Sequence, residues 1–247
     1  MRDMRPPWHR RAARARGAYG GGMDLQLTDR VILVVGGTGL IGSAVAEAAR
    51  AEGATVITAA RGEGADVQLD GADAASVDTA IARVLERHGR IDGLVIAAAP
   101  PAQSLDPERA SDPAQVSQAV DDKAMTFLRI ANAVIPHMRE AGAGRIVGLS
   151  GQNALMTGSI TGAVRNAALI IAAQSLADEL AGTGVAVNVV NPGPVTETAS
   201  SEVPAGKPGE STPQQVADLV VMLLSPRLAV SSESIASGHR FRGAVAL

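Results

Sequence analysis

Residues 30–50, RVILVVGGTGLIGSAVAEAAR, run from an apolar stretch of strand length through a group of glycines straight into a helical pattern. After Arg30 the run is wholly apolar, which suits a strand covered on both faces, and 40–50 carries the apolar spacing of an amphipathic helix. Between them, Gly37-x-Gly39-x-x-Gly42 permits a tight turn and a close approach of backbone to a ligand. Peptide N–H groups and the positive end of the helix then face one point beyond the strand, where a pyrophosphate can be held. A glycine triplet alone is an ordinary turn in a chain with 27 glycines. Its place after a strand and before a helix makes it a dinucleotide-binding signal, with Gly36, Gly37, Thr38, Gly39, Leu40, Ile41 and Gly42 as the expected cradle.

The alternation continues downstream. Strands are expected over 54–59 (ATVITA), 66–69, 91–97 (IDGLVIA), 145–149 (RIVGL) and 185–190 (VAVNVV), with a last strand and tail over 234–247. Helices are expected over 76–88, from Pro113 to about Glu140, over 165–180, and from a Thr212-Pro213 start. Apolar strands separated by helices predict an α/β fold: a doubly wound, mostly parallel sheet of about seven strands with helices on both faces. The segment 192–212, PGPVTETASSEVPAGKPGEST, is longer than ordinary connections and is a candidate lid over a site. At 247 residues, with no internal repeat or linker in the body, one domain over 23–247 is expected.

Composition removes whole classes of chemistry. With no cysteine there is no disulfide, thiolate nucleophile or Cys-type zinc site, and His9, His88, His137 and His239 are too scattered to form a metal-ligand pair, so no metal is expected. Two Phe, one Trp and one Tyr leave no stacking platform for single-stranded nucleic acid. Residues 1–22 hold six Arg and one Asp, so the rest carries 16 basic and 24 acidic residues, a formal charge of −8 that offers no nucleic-acid footprint. The tail lacks an apolar run, so neither a secretory signal nor a membrane anchor is expected, and its Gly, Arg and Pro content argues for disorder. Met23 is read as the natural start, 1–22 as upstream sequence with a basic presequence as the alternative, and the location as cytoplasmic.

About twenty residues past the glycines, a NAD site offers a carboxylate to the ribose. Here the second strand ends in Thr58-Ala59-Ala60-Arg61. The planar fork of Arg61 suits a 2′-phosphate, so NADP(H) is preferred over NAD(H), although Glu63 stands close by.

GGTGLIG, LDGADAASV after the third strand, GRIDGLVIAAA at the fourth, GRIVGLS at the fifth and GVAVNVVNPGPVTET at the sixth together resemble the short-chain dehydrogenase/reductase family, from about Leu25 onward. The resemblance implies a single Rossmann-type domain that binds NAD(P) and interconverts a small carbonyl compound and its alcohol. It also implies that Asp70 contacts the adenine, that Ala97 and Ala98 line the cofactor, and that Pro192, Gly193 and Val195 lie near the nicotinamide. In such proteins a Tyr donates the proton, a Lys four residues later lowers its pKa, a Ser orients the substrate and an Asn supports a relay.

None of that set is retained. The one Tyr is Tyr19 and the two Lys are Lys123 and Lys207, so no Y-x-x-x-K exists. Registered on the helix over 165–180, Gly162 takes the Tyr position and Asn166 the Lys position; the Ser position falls at Gly151 or Ser150, and the Asn position near Lys123. The asparagine-rich motif after the fourth strand is replaced by IAAA. Lys123, Ser150, Gln152, Asn153, Thr157, Ser159, Thr161 and Arg165 are the remaining candidates near the pocket, with Lys123, Ser150 and Gln152 foremost. A partly buried lysine is an acid or base near neutrality; the plainer expectation for Lys123 is a helix residue paired with Asp121 or Asp122. Ser150 has no His, Asp or Glu placed to activate it and is expected to satisfy backbone. His88 and His137 read as surface residues; His239 could reach a site from the C-terminal segment.

Three functions are compatible with this pattern: an NADP(H)-dependent oxidoreductase with an atypical proton donor, a lyase, isomerase or cyclase on the same scaffold, or a nucleotide-binding protein without catalysis. A small-molecule substrate is expected, with no nucleic-acid or membrane partner. The helices over 114–140 and 165–180 carry more apolar surface than one sheet face covers, which predicts a homodimer or homotetramer.

Overall fold

Val31–Val35 (β1) is buried at every position, and its side chains divide alternately between two cores. Val31, Leu33 and Val35 enter one apolar cluster; Ile32 and Val34 enter the other, across the sheet. The computed structural model describes residues 23–100, 104–156 and 158–238. The tail 1–22, Thr157 and the segment from His239 onward lie outside the described residues.

After β1 come Leu40–Ala51 (α1), Thr55–Ala60 (β2), Val67–Gln68 (β3), Ala74–His88 (α2) and Gly93–Ile96 (β4). Then follow Pro113–Val120 (α3), Thr126–Glu140 (α4), Gly144–Leu149 (β5), Ile160–Glu179 (α5), Val185–Asn191 (β6), Pro213–Leu224 (α6) and Ser234–Ala236 (β7). The strands form a seven-stranded sheet in the order β3-β2-β1-β4-β5-β6-β7, every neighbouring pair parallel. This is the doubly wound α/β fold expected from the alternation. α2, α4 and α5 cover one face and α1 and α6 the other.

Two helices differ from expectation. The helix expected from Pro113 to Glu140 is continuous but contains a π-helical turn, Asp121–Met125, between α3 and α4. The helix expected from Arg165 begins at Ile160 instead, because Ser159 caps it by accepting from Gly162 N (3.2 Å). α5 is long and apolar enough by composition to cross a membrane, with half of that window buried inside the fold. Its Leu169, Ile170, Ala173, Leu176 and Ala177 pack into the core, where each large side chain contributes about 1.5–3 kcal/mol.

Candidate active site

Strand order reverses between β1 and β4, and in an open parallel sheet that reversal leaves a crevice at the carboxyl ends of the strands. A cavity of about 360 Å³ occupies it. Gly36, Thr38 and Gly39 form one wall, Arg61 and Asp70 the second, and Ala97 and Ala98 the third. Seven of the residues expected to hold the cofactor are therefore brought together.

The glycines are there for identifiable reasons. Gly36 has φ +83°, and a Cβ on it would come 2.8 Å from Ala98 N. A Cβ on Gly37 would come 2.8 Å from the Thr58 side chain, and one on Gly42 would overlap Gly36 O. Only glycine lets α1 approach β1 so closely. Gly39 is the N-cap and offers no side chain, so the N–H groups of the first turn, at Leu40, Ile41 and Gly42, have no helical acceptor. Gly37, Leu40, Ile41 and Gly42 shape the cradle without lining the cavity.

The floor is fixed from α4. Arg129 Nη1 donates to Gly71 O (2.6 Å) and Thr126 Oγ1 donates to the same carbonyl (3.4 Å). Asp70 is held by its neighbours: its Oδ1 accepts from Ala72 N (3.0 Å), and its N–H donates to Ser76 Oγ (3.0 Å). Arg61 is exposed on the rim and makes no ion pair with another described residue. Gly71, Asp122 and Thr126 also line the cavity, and sequence reasoning missed them. The one available signal was that an α4 position faces the loop after β3, which needs the strand order.

At the other end of the crevice the plainer expectation for Lys123 fails. Asp121 pairs with Arg129 (3.0 Å) and Asp122 accepts from Gln118 Nε2 (2.8 Å). Lys123 turns inward from the π-helical turn, is 7% exposed, and donates from Nζ to Ser150 O (3.2 Å). Burial first, and the neighbouring Arg165 charge second, push its pKa down to about 7. Ser150 Oγ donates to Asn166 O (2.9 Å), so this hydroxyl satisfies backbone as expected. Asn166 Nδ2 donates to Asn153 Oδ1, and Asn153 Nδ2 stands where a side chain on Gly162 would need room. Gln152 donates through Nε2 to Ser237 O (2.7 Å) and through its backbone N–H to Pro192 O (3.0 Å). Gln152 Oε1 and Asn166 Oδ1 are buried without a hydrogen-bond partner among the described residues.

Lys123, Ser150, Gln152, Pro192, Gly193 and Val195 do not line this cavity. The loop over 192–212 is pinned at its base: Val195 bridges Ser211, Thr196 N donates to Ser211 O (3.0 Å), and Ser211 N donates to Pro194 O (3.1 Å). Of the histidines, His137 is exposed and His88 half-buried, away from both ends of the crevice.

A family model described as enoyl-(acyl carrier protein) reductase matches residues 37–235. The chain belongs to the short-chain dehydrogenase/reductase family. It is 28% identical over 232 residues to the 3-oxoacyl-(acyl-carrier-protein) reductase FabG of Vibrio harveyi, covering 83% of this chain and 93% of that protein. To the FabG of Salmonella typhimurium it is 29% identical over 223 residues, covering 79% and 90%. The crystal structure of gox2181 superposes with a TM-score of 0.73 at 25% identity, over 87% of this chain and 96% of that one. Within this short-chain dehydrogenase/reductase fold, the cavity between β1 and β4 is lined by Gly36, Thr38 and Gly39 of the glycine loop.

Proposed function

We propose that this protein is an NADP(H)-dependent oxidoreductase acting on a small carbonyl compound or the matching alcohol, with Lys123 in place of the family's tyrosine as proton donor. The observation that carries the reading is an exchange. Asparagine stands at 166 where the family has lysine, and lysine at 123 near where it has asparagine; Lys123 Nζ donates to Ser150 O, and the backbone carbonyl of Asn166 accepts from Ser150 Oγ. One lysine and one asparagine still meet at this end of the crevice, contributed by exchanged helices.

The residues present fit the cofactor. The glycine loop and the first turn of α1 suit a pyrophosphate, and Arg61 on the rim suits a 2′-phosphate, which favours NADP(H) over NAD(H). The two buried acceptors without partners, Gln152 Oε1 and Asn166 Oδ1, suit donors such as ribose hydroxyls or a carboxamide. When bound, the dinucleotide supplies the hydride that adds to the carbonyl carbon. Lys123 supplies the proton taken up by the carbonyl oxygen; its neutral amine is then reprotonated from solvent. A lysine with a pKa of about 7 populates both forms near neutrality, as a general acid requires.

Wild-type protein should show a substrate-dependent loss of NADPH absorbance with some member of a panel of small ketones and aldehydes. Lys123→Met should lower kcat by on the order of 10²–10⁴, remove the kcat–pH limb near 7 and retain NADPH affinity. Unchanged turnover in Lys123→Met, or no NADPH binding by wild type, would overturn the reading. A nucleotide-binding protein without turnover is the second reading, favoured by the bonds from Gln152 to Ser237 and from Asn166 to Asn153, which fill this end with internal partners. NADPH binding with no turnover across the panel would support it.

A further inference from the structure

A second cavity, of about 320 Å³, adjoins the nucleotide cavity and shares Pro100 and Asp122 with it. Gln115 and Gln118 of α3 form one wall and Arg165 of α5 another. Arg165 is 4% exposed; its Nη1 donates to Pro100 O (3.2 Å), and its Nε is buried with no hydrogen-bond partner among the described residues. No carboxylate of a described residue lies within ion-pair distance of this guanidinium. Lys123, also without an ion pair to a described residue, stands near enough that the Arg165 charge disfavours its protonated form. Buried cations are normally paired, because desolvating an unpaired one costs far more than its packing returns. Two such groups side by side, one with an unused N–H, suit a site whose counter-ion arrives with the ligand.

We propose that this second cavity holds the carboxylate of a small oxo acid, or of the corresponding hydroxy acid, on Arg165. The proposal rests on the neighbouring cavity being the dinucleotide site, and it names the substrate class for that reaction. A guanidinium receives a carboxylate through parallel N–H donors along one edge; with Nη1 occupied by Pro100, the edge bearing Nε is the one that serves. One carboxylate, Asp122, stands on the wall, and its charge reaches Arg165 without forming an ion pair. Asp122 accepts from Gln118 and is half-buried, and Arg109, which also lines the cavity, is already paired with Asp112 (2.6 Å). Arg165 is thus the buried cation on this wall. The volume lies at the small end for ligand sites, which fits a short acid better than a long acyl chain.

Calorimetric titration of nucleotide-free protein with pyruvate, acetoacetate and levulinate, each beside its methyl ester, tests the proposal. At least one acid should bind tenfold or more tightly than its ester, and that preference should be lost in Arg165→Met and partly restored in Arg165→Lys, which keeps the charge but not the fork. NADPH affinity, read by fluorescence on the same samples, reports the neighbouring cavity separately, so failure there with the acid preference intact overturns the substrate role and leaves the carboxylate site standing. If no acid binds more tightly than its ester, or if Arg165→Met keeps the preference, the proposal is overturned.

Discussion

At Lys123 the ammonium meets a carbonyl instead of a carboxylate, and that decides how the folded state responds to pH. The ordinary lysine value is 10.5 and the folded value about 7. Below pH 7 both folded and unfolded chains carry the proton, and the folded state bears the full cost of a buried charge. Between 7 and 10.5 the unfolded chain keeps a proton that the folded one has released, so stability climbs with pH, by about 1.4 kcal/mol per unit at most. Above that window both are neutral and the cost has vanished. Lys123→Met should therefore be more stable than wild type at pH 6, by a few kcal/mol at most, and the two should converge towards pH 10; urea denaturation across this range checks it, and parallel curves would refute it. Gly42 is constrained by contact instead of charge. A methyl there would overlap Gly36 O, so Gly42→Ala should destabilise by about 1–3 kcal/mol, as other overpacked positions do, and weaken NADPH binding by pushing α1 from the strand.

Among the elements, α6 shows how a local signal fixes a boundary. Thr212 Oγ1 accepts from Gln215 N (3.2 Å) while Gln215 Oε1 accepts from Thr212 N (2.9 Å), and Pro213 follows at the first helical position. Thr212→Ala should cost about 1 kcal/mol in urea denaturation, with no change at the cavity between β1 and β4, which this helix does not line. That start was legible from Thr-Pro alone, as were β1, the glycine loop and α1, because each is set by residues within a few positions. The π-helical turn was not legible. TFLRIANAV, which follows the turn, keeps ordinary helical apolar spacing and gives no local sign of it, yet this turn is what carries Lys123 inward. Sequence proximity favoured Asp121 and Asp122 as its partners; the acceptor that won, Ser150 O, is 27 positions away and comes near only once β5 lies beside β4. The glycine loop was legible because its glycines act through their own backbone. The second cavity was not, since its walls come from segments that meet only in the folded chain.

At the scale of the whole molecule, α5 is apolar on more than the side that faces the sheet. Leu169, Ala173 and Leu176 point into the core, whereas Ile160, Val164 and Ile171 are 54%, 41% and 62% exposed, with Met125 of the π-helical turn at 37%. Residues 160, 164 and 171 are separated by four and seven positions, so they share one stripe of the helix. A self-complementary stripe is what a two-fold pairing of subunits buries, and pairing covers it at both copies for one set of contacts. The protein should run as a dimer, or as a tetramer built from dimers, in size-exclusion chromatography with light scattering. Ile171→Glu sets like charges near the axis in an apolar contact and should shift the population towards monomer. The same change at Leu40, 52% exposed at the start of α1, should leave the assembly intact, because that residue lies on the other face of the sheet. A wild-type monomer at micromolar concentration, or an Ile171→Glu protein that keeps its assembled mass, would show that the stripe serves something other than self-association.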